Sequence, residues 1–218
     1  MNTVKIKRKP RGDYHHGALR PALLAAAVQV LQDRGLDGFS LRETARRAGV
    51  SPAAPAHHFG DTRGLLTAIA TESFVALAAA IDAADTAAGA DRVARVRAQG
   101  MAYVRYAVTN RARYDLMWRP TLFHASDPAY VAASLRAFLS LDRAVRGVKT
   151  VEETNPGGPE SAQSIACWSL VHGFARLALD GMFGREADAA RRAADALLPA
   201  VLSHLDLLAP ARSAGDGA

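Results

Sequence analysis

The chain has 218 residues, half of them hydrophobic, one cysteine and a formal net charge of +6. That length and apolar content allow one large or two modest domains with a substantial core, and a lone Cys167 excludes an intramolecular disulfide. The charged N-terminus lacks the apolar stretch of a secretory signal, and no window offers an uninterrupted apolar span for a bilayer, so a cytoplasmic protein with no membrane partner is expected.

The charge is placed unevenly. Residues 1–70 hold 11 Lys and Arg against 5 Asp and Glu, whereas residues 71–218 hold 16 of each sign. An excess confined to one end is the footprint of a polyanion-binding segment. Abundant Ala and scarce Val and Ile runs favour helices over sheet, and the expected fold class is all-α.

In chain order, residues 1–16 form a basic arm broken by Pro10 and Gly12, expected to be flexible when free. Its cations, Lys5, Lys7, Arg8, Lys9 and Arg11, suit a phosphate backbone or a minor groove. From Ala18 a helical stripe runs through Leu19, Leu23, Ala26, Ala27, Val30 and Leu31 and ends at Arg34-Gly35. Phe39 is expected to plug a small core. Ser40 is an N-cap, and Glu43 three residues later completes a capping box. The second helix runs from Leu41 to about Ala48, Gly49 turns the chain in the left-handed conformation, and Val50 packs beneath. Ser51 is expected to cap a third helix with Pro52 at its first position. Gly60-Asp61 ends this unit and a fourth helix starts near Thr62, with Leu65, Leu66, Ile69, Phe74, Leu77 and Ile81 inward.

Two helices this short need neighbours to bury their apolar faces. Ala45, Ala48 and Val50 supply the close-packing surface of a helix-turn-helix corner. The second helix of the pair then enters a major groove roughly 12 Å wide. Arg42, Arg46 and Arg47 are candidates for phosphate neutralisation, contacts that position without specifying sequence. The competing reading is an ordinary helical bundle with a solvated basic face. Charge alone does not separate DNA from RNA or an anionic membrane; arm, capped pair and segregated charge together favour nucleic-acid binding, with double-stranded DNA as the expected partner.

Beyond the fourth helix, a long helix is expected from Asp91 to about Thr109, a short one over Arg111 to Trp118, a break at Pro120, and another helix opening at Pro128. Residues 150–159, TVEETNPGGP, read as the clearest internal loop. The last two helices are expected over Glu160 to about Met182 and Ala187 to Leu205, with Pro199 as a bend, before a disordered tail at residues 209–218. Met101, Tyr103, Tyr106, Met117, Trp118, Phe123, Trp168 and His172 are candidates for an adaptable apolar ligand cavity with a few polar handles; singly, each also reads as core. With no cage of acids or cluster of Arg here, a small apolar or weakly polar effector is preferred. Leu170, Phe174, Leu177, Ala178 and Gly181, opposed by Ala193, Ala196, Leu197 and Val201, are candidates for a dimer interface. The alternative is that both helices finish the monomer core.

The pairs His15-His16 and His57-His58 are adjacent, so they do not converge as metal ligands do at i and i+4. His172 and Cys167 face different sides of a helix with no orienting acid, which argues against a nucleophile pair. No enzyme activity, metal or cofactor is expected.

The stretch from Tyr14 to about Phe74 resembles the N-terminal domain of the TetR family of one-component bacterial regulators. The resemblance rests on the helix ending in Gly35, Phe39 before Ser40, Ala45, the Ala48-Gly49-Val50-Ser51 turn, and His58-Phe59 followed by Asp61 and Leu65-Leu66. Asn110 to Trp118 and Cys167 to Phe174, with Trp168, His172 and Gly173, are similar to one branch of that family. The resemblance implies an all-helical homodimer, a helix-turn-helix domain over residues 17–62 that binds a palindromic operator, and an effector-binding and dimerisation domain over residues 63–208. The DNA-contacting positions it implies include Tyr14, Ser40, Arg42, Arg46, Ser51, Pro52, Ala53, Ala54, Ala56, His57, His58, Thr62 and Arg63. The family's usual Tyr is Ala56 here, its usual Lys is Thr62, and Pro55 lies inside the third helix. These departures raise a second expectation, a dimeric small-molecule binding protein with weak or lost operator binding.

Overall fold

The computed structural model describes residues 16–147, 157–186 and 188–203. The basic arm with Lys5, Lys7, Arg8, Lys9, Arg11 and Tyr14, most of the 150–159 loop, Ala187 and the tail lie outside the described residues.

Within them the chain is all helical. The helices are α1 (His16–Arg34), α2 (Leu41–Arg47), α3 (Ala54–Phe59), α4 (Thr62–Ala87), α5 (Arg92–Thr109), α6 (Arg111–Met117), α7 (Pro128–Arg146), α8 (Ala162–Leu179), α9 (Ala189–Ala196) and α10 (Leu198–Ser203). Short 3₁₀ turns at Pro120–Leu122 and Pro159–Ser161 precede α7 and α8. Acidic caps set several starts: Asp61, Asp91 and Asp127 accept backbone N–H groups of α4, α5 and α7. The last expected helix is two, because Pro199 cannot continue the ladder and the chain re-starts at Leu198.

The α2 start differs from a full capping box. Ser40 Oγ accepts from Glu43 N at 3.5 Å. The Glu43 carboxylate does not reach back to Ser40; it binds Arg46 and Arg47 instead. The α2 end is a Schellman motif: Gly49 has φ +69°, its N–H reaches Arg46 O, and Val50 N–H reaches Ala45 O at 3.0 Å.

Ser51 does not cap α3. The helix begins at Ala54, later than expected, with Ala53 at the cap and no side-chain cap bond. Pro55 therefore sits in the first turn, where a backbone N–H has no intrahelical partner in any case. The proline costs α3 no hydrogen bond and packs its buried ring inward.

Two apolar clusters share α4. The first joins Leu24, Ala27 and Leu31 of α1 with Leu65, Leu66, Ile69 and Ala70 of α4, and is closed by Leu116 of α6 and Phe123. The second joins Phe74, Leu77, Ala78 and Ile81 of α4 to α5, α7, α8, α9 and α10. The small N-terminal helical unit therefore borrows part of its core from residues far along the chain. An 18-residue window within α4 is long and apolar enough to cross a membrane, contrary to the expectation that no window is. More than half of it is buried in the bundle, as in the core helix of a packed protein.

Candidate nucleic-acid interface and effector cavity

The α2–α3 corner holds the first candidate site. Arg42 and Arg46 lie on α2, where Arg46 makes a two-point contact to Glu43, at 2.8 and 2.7 Å, with its side chain still 70% exposed. Arg47 lies between Glu43 and Asp33 with its side chain only 19% exposed, so it ties α2 to α1 and is not a free phosphate ligand. The expected role of Arg47 is corrected on that ground. On the α3 side Ser51, Pro52, Ala53, Ala56 and His57 are exposed and Ala54 and His58 partly so; Ser40, the cap of α2, is also partly exposed. Thr62 is exposed at the start of α4. Arg63 bonds the Phe123 carbonyl at 2.9 Å, joining α4 to the segment before α7. Arg20 lies over the Phe59 ring at 5.0 Å, fixing α3 against α1.

The hydrogen bonds from Arg46 first, then Arg47, with the Arg34 charge nearby, pull the Glu43 carboxyl from 4.5 down to about 2. A carboxylate whose folded pKa is depressed stabilises the fold above its unfolded value, and that contribution is lost as pH falls through the folded one. The Glu43 contribution is therefore expected in full above pH 4.5 and to disappear towards about pH 2. In thermal melts across that window, Glu43→Gln should lie below the parent at neutral pH and converge with it in acid. Parallel curves would contradict the cluster.

The second site is a cavity of about 570 Å³ in the bundle, within the usual range for small-molecule sites. α4 contributes Phe74, Leu77 and Ile81; α5 contributes Val96, Gln99, Gly100 and Tyr103; Trp118 follows α6. α7 supplies Tyr130, Val131, Ser134, Leu135, Ala137, Phe138 and Leu141, and α8 with α10 supplies Ile165, Cys167, Trp168, Val171 and Leu202. No Asp, Glu, Lys or Arg is among them. Val131, Leu135 and Ile165 are large apolar side chains left exposed, a feature that marks a binding surface more than a finished core. Gln99 is held by bonds from its Nε2 to Asp85 and the Ser140 carbonyl. Burial pushes the Cys167 thiol up to about 11, so it is an unreactive wall group.

Of the expected ligand residues, Tyr103, Trp118 and Trp168 line this cavity. His172 stands behind Tyr103, its Nδ1 at 2.8 Å from the Tyr103 hydroxyl and 2.9 Å from that of Tyr114. Met101 is half-buried against the core and Met117 is inside it. Tyr106 is turned away, donating its hydroxyl to the Ser73 carbonyl at 2.9 Å. Phe123 belongs to the other cluster, because the break at Pro120 carries the chain back beneath α1 and α4. The α7 wall is absent from the expected site, although Val131, Leu135 and Phe138 are visible at helical spacing. Their signal is apolar side chains left on a second face of one helix.

The expected interface residues divide. Leu170, Phe174, Leu177, Leu197 and Val201 line a shallow groove with Gly173 and Phe183 on the outer face of α8 and α10. Leu177 and Leu197 are 46% and 45% exposed. Ala178 and Ala193 are buried in the monomer core, and Gly181 lies in the turn after α8. Among the described residues, no cluster of His, Cys, Asp and Glu has the makings of a metal site.

A helix-turn-helix at one end of a shared helix and a helical bundle with a cavity at the other form the two-part architecture expected of a one-component transcriptional regulator. The family comparisons agree. The model described as bacterial regulatory proteins, tetR family, matches residues 23–69, and that described as tetracyclin repressor-like, C-terminal domain, matches residues 96–201. The chain belongs to the TetR family. It is similar over 49 residues, at 47% identity, to the HTH-type transcriptional regulator BetI of Rhizobium meliloti (strain 1021), a match spanning 22% of this chain and 24% of that protein. A protein with unknown function from Rhodococcus sp. RHA1 shares 35% identity over 87% of this chain and 98% of its own, with a TM-score of 0.68. The TetR family transcriptional regulator PfmR from Thermus thermophilus shares the fold, at 22% identity over 84% and 98% of the two chains and a TM-score of 0.61. Family membership makes the chain a regulator rather than an enzyme.

Proposed function

We propose that the chain is a cytoplasmic repressor that binds a palindromic operator as a homodimer and is released by a small apolar or weakly polar effector. The observation that carries this reading is α4. Its first turns hold the reading unit through Leu65, Leu66 and Ile69, and its middle turns wall the cavity through Phe74, Leu77 and Ile81. A ligand that favours one setting of α4 thereby favours one spacing of two reading units, provided it binds the two settings unequally. The groove around Leu177 and Leu197 is the proposed self-association face, which would place two readers for half-sites roughly 34 Å apart. Ser40, Arg42, Arg46, Ser51 to Ala54, Ala56, His57, His58 and Thr62 form the proposed DNA face, with the basic arm adding backbone contacts.

The test is anisotropy titration of the full chain against DNA from its own promoter at stated salt, with and without candidate ligands. Failure to bind any discrete site would favour the small-molecule binding protein without an operator. A ligand that binds and leaves operator affinity unchanged would refute the switch. Ala56 is exposed on α3, and a tyrosine there gains a hydroxyl able to reach phosphate. Ala56→Tyr is expected to tighten binding severalfold, by about 1 kcal/mol, without altering the sequence selected from a random pool. A changed consensus would place residue 56 on the bases.

A further inference from the structure

Three polar side chains form a closed triangle at the cavity's edge. The Tyr103 and Tyr114 hydroxyls lie 2.8 and 2.9 Å from His172 Nδ1, and 3.3 Å from each other. Tyr103 alone of the three lines the cavity; Tyr114 is fully buried. Burial, and then the Arg176 charge, lower the His172 pKa, so the imidazole is neutral. Burial raises both tyrosines, so both keep their hydrogens. The tautomer with its hydrogen on Nε2 is the one that gives both buried hydroxyl hydrogens an acceptor, and its Nδ1 has one lone pair that takes one hydrogen. Two hydroxyls stand at that one acceptor. Either Tyr103 donates to Nδ1, or Tyr114 does. In the second arrangement the Tyr103 hydrogen has only the Tyr114 oxygen, 3.3 Å away, and is free to turn to a better acceptor in the cavity, while the Tyr103 oxygen remains an acceptor for Trp168 Nε1, 3.5 Å away.

We infer that Tyr103 is the effector's polar anchor, donating its hydroxyl hydrogen to a neutral acceptor such as a ketone, ester or amide carbonyl, while Tyr114 takes over the bond to His172. The inference rests on reading the cavity as the effector site. The exchange keeps Nδ1 paired and trades the long 3.3 Å contact between the two hydroxyls for a bond to the ligand, so no buried donor of the triangle is left unpaired. The uncharged lining sets the rest of the ligand class. A carboxylate or ammonium would be desolvated there with no counter-charge, so the ligand is apolar apart from its acceptor.

The chain's two tryptophans, Trp118 and Trp168, both line the cavity, so emission excited at the indole reports occupancy. The probes are methyl hexyl ketone, the alkene with a methylene group in place of its carbonyl oxygen, heptanoate and heptylammonium. The full chain is expected to bind the ketone about tenfold more tightly than the alkene, and the two ions more weakly than either. Tyr103→Phe should bring the ketone to the alkene's level. Tyr114→Phe, outside the cavity, should do the same, because the remaining tyrosine is then pinned to His172. Unchanged alkene binding in both variants shows that the cavity is intact. Equal binding of ketone and alkene by the parent chain, or a ketone preference that survives Tyr114→Phe, overturns the anchor and leaves the cavity as an effector site. Binding of no probe, neutral or charged, overturns the effector reading itself.

Discussion

Phe123→Ala is expected to lower the unfolding free energy by about 3–5 kcal/mol, a large share of the roughly 5–15 kcal/mol that holds a typical domain. The ring is fully buried, packs at 4.8 Å from Tyr130, and fills the cluster between α1 and α4. Its removal leaves a cavity whose walls are helices with little room to collapse. The consequence also reaches function. Tyr130 lines the cavity and packs edge-on against Phe74, so Phe123 is the packed link from the cavity to the proposed reading unit. Urea unfolding should show the loss, with Val75→Ala, at a half-exposed position on α4, changing stability by no more than about 0.5 kcal/mol. A Phe123→Ala variant as stable as the parent would remove this ring from the core.

Gly64→Ala is the second large effect. A methyl group at Gly64 would lie 1.9 Å from the Phe59 carbonyl oxygen. That oxygen is backbone at the end of α3, so relief requires moving the helix and not a side chain. Asp61 Oδ1 accepts the Gly64 N–H at 2.8 Å, which holds the two helices at this close approach. Overpacking of this kind costs about 1–3 kcal/mol. It outweighs the roughly 1 kcal/mol by which alanine favours a helix over glycine. Because α3 carries the exposed residues of the proposed DNA face, operator affinity should fall more than stability does. Anisotropy titrations and melts of the same preparation separate the two. A variant that is more stable and binds unchanged would show that the approach is looser than described.

Much of the fold was legible because its signals are local. Gly49, Asp61, Asp91 and Pro128 act on the hydrogen-bond ladder within one turn, and the helices they bound lie within a few residues of expectation. The same locality explains the errors. Ser51 reads as a cap, but the helix starts at Ala54 because the preceding turn continues through Pro52 and Ala53. Glu43 reads as half of a capping box, but three guanidinium groups from two helices compete for its carboxylate. The cavity was partly legible, since three of its aromatic residues are among the expected ones. Residue type does not separate Phe123, which closes the reading unit, from Trp118, which opens on the cavity.

By itself the sequence determined the helical class, the helix-turn-helix corner and the family, since each depends on residues a few positions apart. Tertiary structure alone decided which side chains meet. It paired Arg47 with Asp33 and Glu43 and placed Phe123 beneath α1. It also brought Tyr103, Tyr114 and His172 to one point from three helices. Those contacts depend on how rigid helices pack, which periodicity constrains only to a face, and on which competing partner arrives with the better charge and geometry.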